Sequence, residues 1–397
     1  MQREPWEEAL AQRMAGLTGT DARDWYLTYR ARHGMLAALE AVRAACGGGE
    51  VLTQLFTCCT AVDPILSAGL DPVYGDVSAQ TCSLDPASAP LGERTRAVML
   101  QHTFGIVDGA SSQELAEKTR AAGALVLEDC AHCVGRMATG ADGAPLADIS
   151  FHSFGVEKML PTLFGGAVWV NPASVASDVM RAVRERLSSL PAPGARDERL
   201  NASYRGTNRV LVHLPAALSR PLRRALTAAG AFDPAVSDEE RLGKVSRAPM
   251  RATRFACEAA LGALGGYAAS AESRCRVVEA YRGLLADVVG AEVPAAALAG
   301  EAQPLLRFPV LLADARSADA AEAAILAAGY YTSAWYRPEL GPGALDGAAY
   351  RVPADRSGLR MNDRLVAGIV NLPTDIPAEA APRVVSALRE SLAAPTA

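Results

Sequence analysis

Two residues able to do chemistry stand at or just beyond the ends of strand-like runs. Asp129 closes Ala-Leu-Val-Leu-Glu-Asp at 124–129, where a short side chain at a strand end points into the crevice of an open α/β sheet. Lys158 follows a second run, Asp148-Ile-Ser-Phe-His-Ser-Phe, and precedes Leu163-Phe-Gly-Gly. Isolated between apolar elements, its amine should have its pKa lowered by desolvation, which suits a nucleophile and proton carrier. A single lysine in such a place is otherwise a loop residue snorkelling to solvent. An amine that condenses with a carbonyl, a carboxylate that keeps a pyridine nitrogen protonated and a phosphate anchor are together what pyridoxal chemistry needs around one planar ring.

The elements that would position these groups are legible as alternation. From about residue 33 to 170, strand-like runs at Glu50–Thr53, Pro72–Gly75, Arg96–Gln101, Ala124–Glu128, Asp148–Ser153 and Gly166–Val170 are separated by helical patterns. The helices fall at His33–Ala45, around Ala61–Ala68 and at Ser111–Ala122. Such alternation predicts a mostly parallel sheet covered by helices, its strand ends gathered in one crevice. Beyond Asn171 the pattern is helical at Ser174–Leu190 and Thr253–Val289, with a basic amphipathic stretch at Val210–Gly230. A strand at Leu305–Leu312, a helix at Ala315–Ala328 and a closing helix at Ala378–Leu392 complete a smaller second domain, and the alanine-rich 294–302 is read as a loop. This gives a large domain over residues 1–250, with an insert-like stretch at 191–249, and a small domain over 251–397.

Bulk properties narrow the class. A chain of 397 residues with 50% apolar and 21% charged side chains has the composition of a packed globular protein. The formal charge of −5 leaves no basic footprint for nucleic acid. Acids at Glu4, Glu7 and Glu8 break any secretory leader, and no run of about 20 apolar residues spans a bilayer, so a cytoplasmic protein is expected. Pro215 and Pro221 interrupt the basic stretch around Arg220, Arg223 and Arg224, making it a solvated face or subunit contact rather than a membrane helix. The eight cysteines lack the density of a disulfide scaffold. Cys130 and Cys133 have metal or redox spacing, but no second CxxC or histidine pair supplies the remaining ligands, so no metal is expected and small-residue packing is the preferred reading.

The run from Glu128 to Gly166 resembles the core signature of the DegT-type (DegT/DnrJ/EryC) sugar-nucleotide aminotransferases. In that family E-D-A-A-[QH], a glycine-rich stretch ending in G-D, F-S-F-x-x-x-K and G-x-G-G follow in order. Here they read E-D-C-A-H at 128–132, Ala147-Asp148, H-S-F-G-V-E-K at 152–158 and F-G-G at 164–166. Weaker likenesses occur at Gly49–Thr53, Gly69–Val77 and Gln101–Gly105. Others follow at Arg274–Leu284, at Gly329–Pro338 (resembling the small-domain strand) and at Asn371-Leu372-Pro373 (resembling a late turn).

The resemblance implies a fold-type-I pyridoxal-5′-phosphate enzyme: an α/β large domain with a mostly parallel seven-stranded sheet, a smaller C-terminal α/β domain and a homodimeric assembly. It makes Lys158 the Schiff-base lysine and Asp129 the partner of the pyridine nitrogen. It places the Ser153 hydroxyl on the cofactor phosphate and His132 near the phenolic oxygen. The usual S-G-T-x-A-L phosphate loop is here Arg30-Ala31-Arg32-His33-Gly34-Met35, where helix-start amides and Arg32 can hold a phosphate, or Arg32 can meet a substrate anion or a neighbouring acid. The ring-stacking aromatic is replaced by Cys58, with Phe56 expected to face elsewhere, and the acid of the G-E-G-G turn is Phe164.

The expected activity is transfer of an amino group from an amino acid such as glutamate to a keto acceptor such as a keto sugar nucleotide. Another pyridoxal reaction, a dehydratase or lyase, is the alternative within enzymes. The related sugar dehydratases carry a histidine where Lys158 stands. A non-catalytic binding or regulatory protein on the same fold is the alternative outside them.

Overall fold

A computed structural model describes residues 3–393. The chain runs through α1 (Pro5–Thr18), β1 (Trp25–Thr28), α2 (Ala31–Cys46), β2 (Glu50–Thr53), α3 (Cys59–Ser67) and β3 (Asp71–Tyr74). It continues through β4 (Thr95–Gln101), α4 (Gly109–Ala121), β5 (Leu125–Asp129), β6 (Ile149–Ser153) and β7 (Gly166–Val170). These strands form one seven-stranded sheet in the order β1-β7-β6-β5-β4-β2-β3. Neighbours from β3 to β6 are parallel, and β7 is antiparallel to both β6 and β1.

The parallel strands are apolar runs because helices cover both faces. On one face Leu36, Leu39 and Val42 of α2 pack on Val51, Ala97, Leu125, Ile149 and Val168. On the other, Leu115 and Ala116 of α4 pack on Val98, Leu100 and Val126. Each fully buried large aliphatic side chain contributes about 1.5–3 kcal/mol.

The remaining helices are α5 (Ser177–Ser188), α6 (Ala195–His213), α7 (Ala216–Ala228), α8 (Arg254–Gly265), α9 (Tyr267–Leu285) and the single turn α10 (Ala295–Leu298). Then come β8 (Arg307–Leu311), α11 (Ala315–Ala327), α12 (Arg360–Gly368), β9 (Ile369–Pro373) and α13 (Ala381–Ala393). β8 and β9 pair antiparallel, and with α9, α11 and α13 they enclose a second core around Phe308, Val310, Ile325, Val384 and Leu388.

Four expectations are corrected. β1 is a strand, because Trp25-Tyr26-Leu27-Thr28 is buried throughout against β7 and so carries no alternation. The helical run over Thr253–Val289 breaks at Gly265-Gly266 into α8 and α9. The loop expected at 294–302 contains the short α10. Gly329–Pro338 is not a strand: the partner of β8 is Ile369–Pro373, whose Asn371-Leu372-Pro373 lies within the strand rather than in a turn. Ile-Val-Asn-Leu satisfies the ladder there, while Tyr331, Trp335 and Tyr336 of 329–338 line a cavity at the sheet's strand ends.

Candidate active site

At the ends of β4, β5 and β6, where Gln101 pairs with Asp129 and Asp129 with Phe151, opens a cavity of about 560 Å³. Arg32, Cys58, Asp129, His132, Ser153 and Lys158, all singled out from the sequence, line it.

Lys158 lies on the segment between β6 and β7, with its Nζ 5.0 Å from the centre of the Trp335 ring. Glu157 (φ 57°) and Leu163 (φ 81°) hold left-handed backbone around it, a strain of the kind that persists where surrounding structure fixes a functional segment. Thr162 Oγ1 bridges the segment's ends, at 2.9 Å from Phe154 O and 3.1 Å from Phe164 O. Burial pushes the Lys158 amine below the ordinary lysine value, opposed by Cys58, Asp129 and Glu157. Asp129 Oδ1 accepts the Ala131 N–H at 2.8 Å. Burial raises its carboxyl above the usual range, with that N–H and the Lys158 charge pulling the other way.

His132 Nδ1 accepts the Phe104 N–H at 3.0 Å, so in the neutral ring the proton sits on Nε2, 3.1 Å from Tyr336 Oη. Burial, then Lys158 and Arg307, hold this imidazole well below its usual pKa. Its one N–H therefore faces Tyr336, and a cofactor phenolic oxygen would have to compete for it. Ser153 is half-buried and accepts the Gly155 N–H at 3.4 Å, which leaves its hydroxyl proton free to donate.

Arg32 meets a neighbouring acid. Its guanidinium pairs with Glu240, and its Nη2 donates to Ala235 O at 2.6 Å. Arg30 pairs with Asp233 at 3.1 Å and lies 4.6 Å over the Phe164 ring. The 191–249 stretch thus folds its acids back onto the start of α2. No side chain caps that helix, and a helix N-terminus of this kind favours an anion. Gly166 is required beside it, since a Cβ there would lie 2.4 Å from Ala31 N.

Cys58 precedes the first residue of α3, with Sγ 3.0 Å from Thr60 Oγ1. Its thiol is lowered chiefly by the Cys59 hydrogen bond, against burial and with help from Lys158. Phe56 faces away from the cavity, edge-on to Tyr336 at 5.3 Å and to Phe104 at 6.0 Å. The aromatic side chains lining the cavity are instead Phe151, Phe164, Tyr331, Tyr336 and Trp335, the last stacked on His132 at 5.0 Å and 13°. Sequence reading missed Trp335 and Tyr336, although the cluster Tyr330, Tyr331, Trp335 and Tyr336 is a signal. It also missed Asp233 and Glu240, for which the sequence holds none.

Comparison with known proteins matches residues 20–226 to the model of the DegT/DnrJ/EryC1/StrS aminotransferase family. GDP-perosamine synthase of Vibrio cholerae is 27% identical over 136 residues, covering 34% of this chain and 36% of that protein. L-glutamine:2-deoxy-scyllo-inosose aminotransferase of Streptomyces paromomycinus is 30% identical over 190 residues, 46% of this chain and 44% of that one. The matched stretch therefore spans less than half the length of either relative. The crystal structure of the aminotransferase TlmJ from Streptoalloteichus hindustanus superposes with a TM-score of 0.69 at 21% identity, covering 100% of this chain and 93% of that one. That likeness shows a shared fold.

Proposed function

The chain belongs to the DegT/DnrJ/EryC1/StrS aminotransferase family, and from that premise we propose that its cavity holds pyridoxal 5′-phosphate and moves an amino group from an amino acid to a keto acceptor. The observation that carries this is the convergence of Lys158, Asp129, Ser153 and the start of α2 on one cavity. The donor set fits the group: an amine of lowered pKa, a buried carboxylate with Oδ2 left over by the Ala131 contact, a free hydroxyl proton and uncapped helix amides. When bound, pyridoxal phosphate supplies an electron sink for the charge left on the substrate carbon.

Asp129 Oδ2 would hold the pyridine nitrogen's proton. Ser153 Oγ and the amides of Ala31 and Arg32 would hold the phosphate. Lys158 Nζ would be the attachment point, and in its neutral form would take and return the proton at the substrate's α-carbon. Trp335, over Lys158 and His132, would exclude water from one side and stack where Cys58 cannot. Arg32 and Cys58 border the site without being its anchors.

Glutamate or glutamine is the donor class, and a keto sugar or cyclic polyol ketone the acceptor, consistent with the named relatives. The lining arginines are already held by acids, Arg30 by Asp233, Arg32 by Glu240 and Arg337 by Asp319 and Glu322. This favours an acceptor whose reacting end is uncharged. A homodimer belongs to the same reading, and exposed Val210, Val212, Leu218 and Leu222 on α6 and α7 are apolar surface it would cover. Light scattering tests that state.

The activity is tested by incubating the cofactor-loaded protein with glutamate or glutamine and following the amine form of the cofactor by absorbance. Its appearance, reversed by a keto sugar, supports the proposal. Cofactor binding with no transfer from any donor would leave a binding protein on this fold.

A further inference from the structure

We propose that His102, Cys130 and Cys133 form a buried zinc site behind the active-site turn, bordering the cofactor cavity at His102 alone of the three. Gln101 and Asp129 are register partners on β4 and β5. The next residue on each chain is His102 and Cys130, tied by the His102 N–H to Asp129 O at 3.2 Å. The sheet thus delivers a histidine from a neighbouring strand to a CxxC pair that looked ligand-poor along the chain.

The cysteines sit on a tight turn, with Cys133 N–H donating to Cys130 O at 3.1 Å and Arg136 N–H to Cys133 O at 2.8 Å. The ligand atoms of the three side chains all lie within 4.8 Å of one another. Tetrahedral zinc with Zn–S of about 2.3 Å and Zn–N of about 2.0 Å places donor atoms roughly 3.5–3.8 Å apart, a closure of about an ångström. A two-thiol, one-imidazole set is soft enough to select zinc over harder divalent ions.

The surroundings hold the three donors in place. Glu128 is fully buried and holds the His102 ring through Nε2 at 2.8 Å. It is itself fixed by Ser150 Oγ and by the Ala138 N–H at 2.6 Å. A carboxylate so placed orients a histidine ligand and strengthens it as a donor. The guanidinium of Arg136, three residues past Cys133, donates to Gln303 Oε1 at 2.9 Å and to Gly105 O, and its Nε is buried without a partner among the described residues. Its charge offsets Glu128, while two thiolates formed by loss of two protons neutralise the ion. Zinc would brace the turn that starts at Asp129 and carries His132, two residues that face the cavity.

The test is elemental analysis of full-length protein purified without chelators, with and without added pyridoxal phosphate, alongside Cys130→Ala and Glu128→Gln. One zinc per chain is expected. Cys130→Ala should lose it, and Glu128→Gln should weaken it by about 10–100-fold. Should a variant fail to fold, cobalt added to chelator-stripped wild type should give thiolate-to-metal charge-transfer bands that zinc abolishes. Wild-type protein with only trace metal and no cobalt bands, metal retained in Cys130→Ala, or a Cys130–Cys133 disulfide in the purified protein would each overturn the proposal. Because metal is counted with and without cofactor, its failure leaves the aminotransferase reading untouched.

Discussion

At the scale of single residues, one burial acts on two groups in opposite directions. It lowers the Lys158 amine and raises the Asp129 carboxyl, and a pyridinium facing Asp129 would restore the carboxylate. Asp129→Asn should keep the fold and the cofactor while lowering turnover by at least about 100-fold, read from initial rates of the half-reaction. Arg32 is a sharper discriminator. Its side chain is 10% exposed and that of Glu240 3%, so Arg32→Ala should cost about 3 kcal/mol in urea unfolding, because Glu240 is left buried and unpaired. Cofactor affinity should hardly move. A tenfold loss of affinity with stability intact would make Arg32 the phosphate anchor instead. The residues that meet this cavity from the ordered motif at 128–166 were legible because each sits at a strand end, as Asp129 and Ser153 do, or on the segment that follows one, as His132 and Lys158 do. Asp233, Glu240 and Trp335 were not, because nothing local in their sequence says which strand end a distant loop will reach.

At the scale of elements, the contact between β7 and the start of α2 sets the anion corner. Gly166→Ala places a methyl 2.4 Å from Ala31 N, and overpacking at backbone should cost about 1–3 kcal/mol and weaken the cofactor's hold together. A thermal melt combined with a cofactor titration checks both. The segment 329–338 makes a different contribution. Trp335→Ala removes the stacked face over His132 and should raise the cofactor Kd by about tenfold, the effect of losing an aromatic stack of about 1–1.5 kcal/mol. Strands with apolar runs between helices were readable from pattern. β1 was hidden by its complete burial, and the pairing of β8 with β9 by a separation along the chain that only packing resolves.

At the scale of the whole molecule, among the described residues no helix is long and apolar enough to cross a membrane. Buried histidines couple the fold to acid. His152 accepts the Gly135 N–H at 3.3 Å and packs on Trp25 at 5.0 Å, and burial lowers it to about 4. Between that value and an unfolded pKa of about 6.5 the unfolded chain binds the proton that the folded one refuses, so this stability is complete above about pH 6.5 and lost as pH falls. By pH 5.5 the loss from this one group is about 1 kcal/mol. Comparison of wild type with His152→Gln by denaturant unfolding at pH 7.5 and 5.5 should show the variant losing less. Equal losses would place the imidazole in water.

The central claim is that Lys158 carries pyridoxal phosphate. Purified protein should show a visible band on addition of the cofactor. Borohydride should bleach that band and fix the label, by peptide mass, on Lys158, with neither band nor label in Lys158→Ala. A protein that stays colourless with added cofactor, or a label fixed on another lysine, would contradict the account.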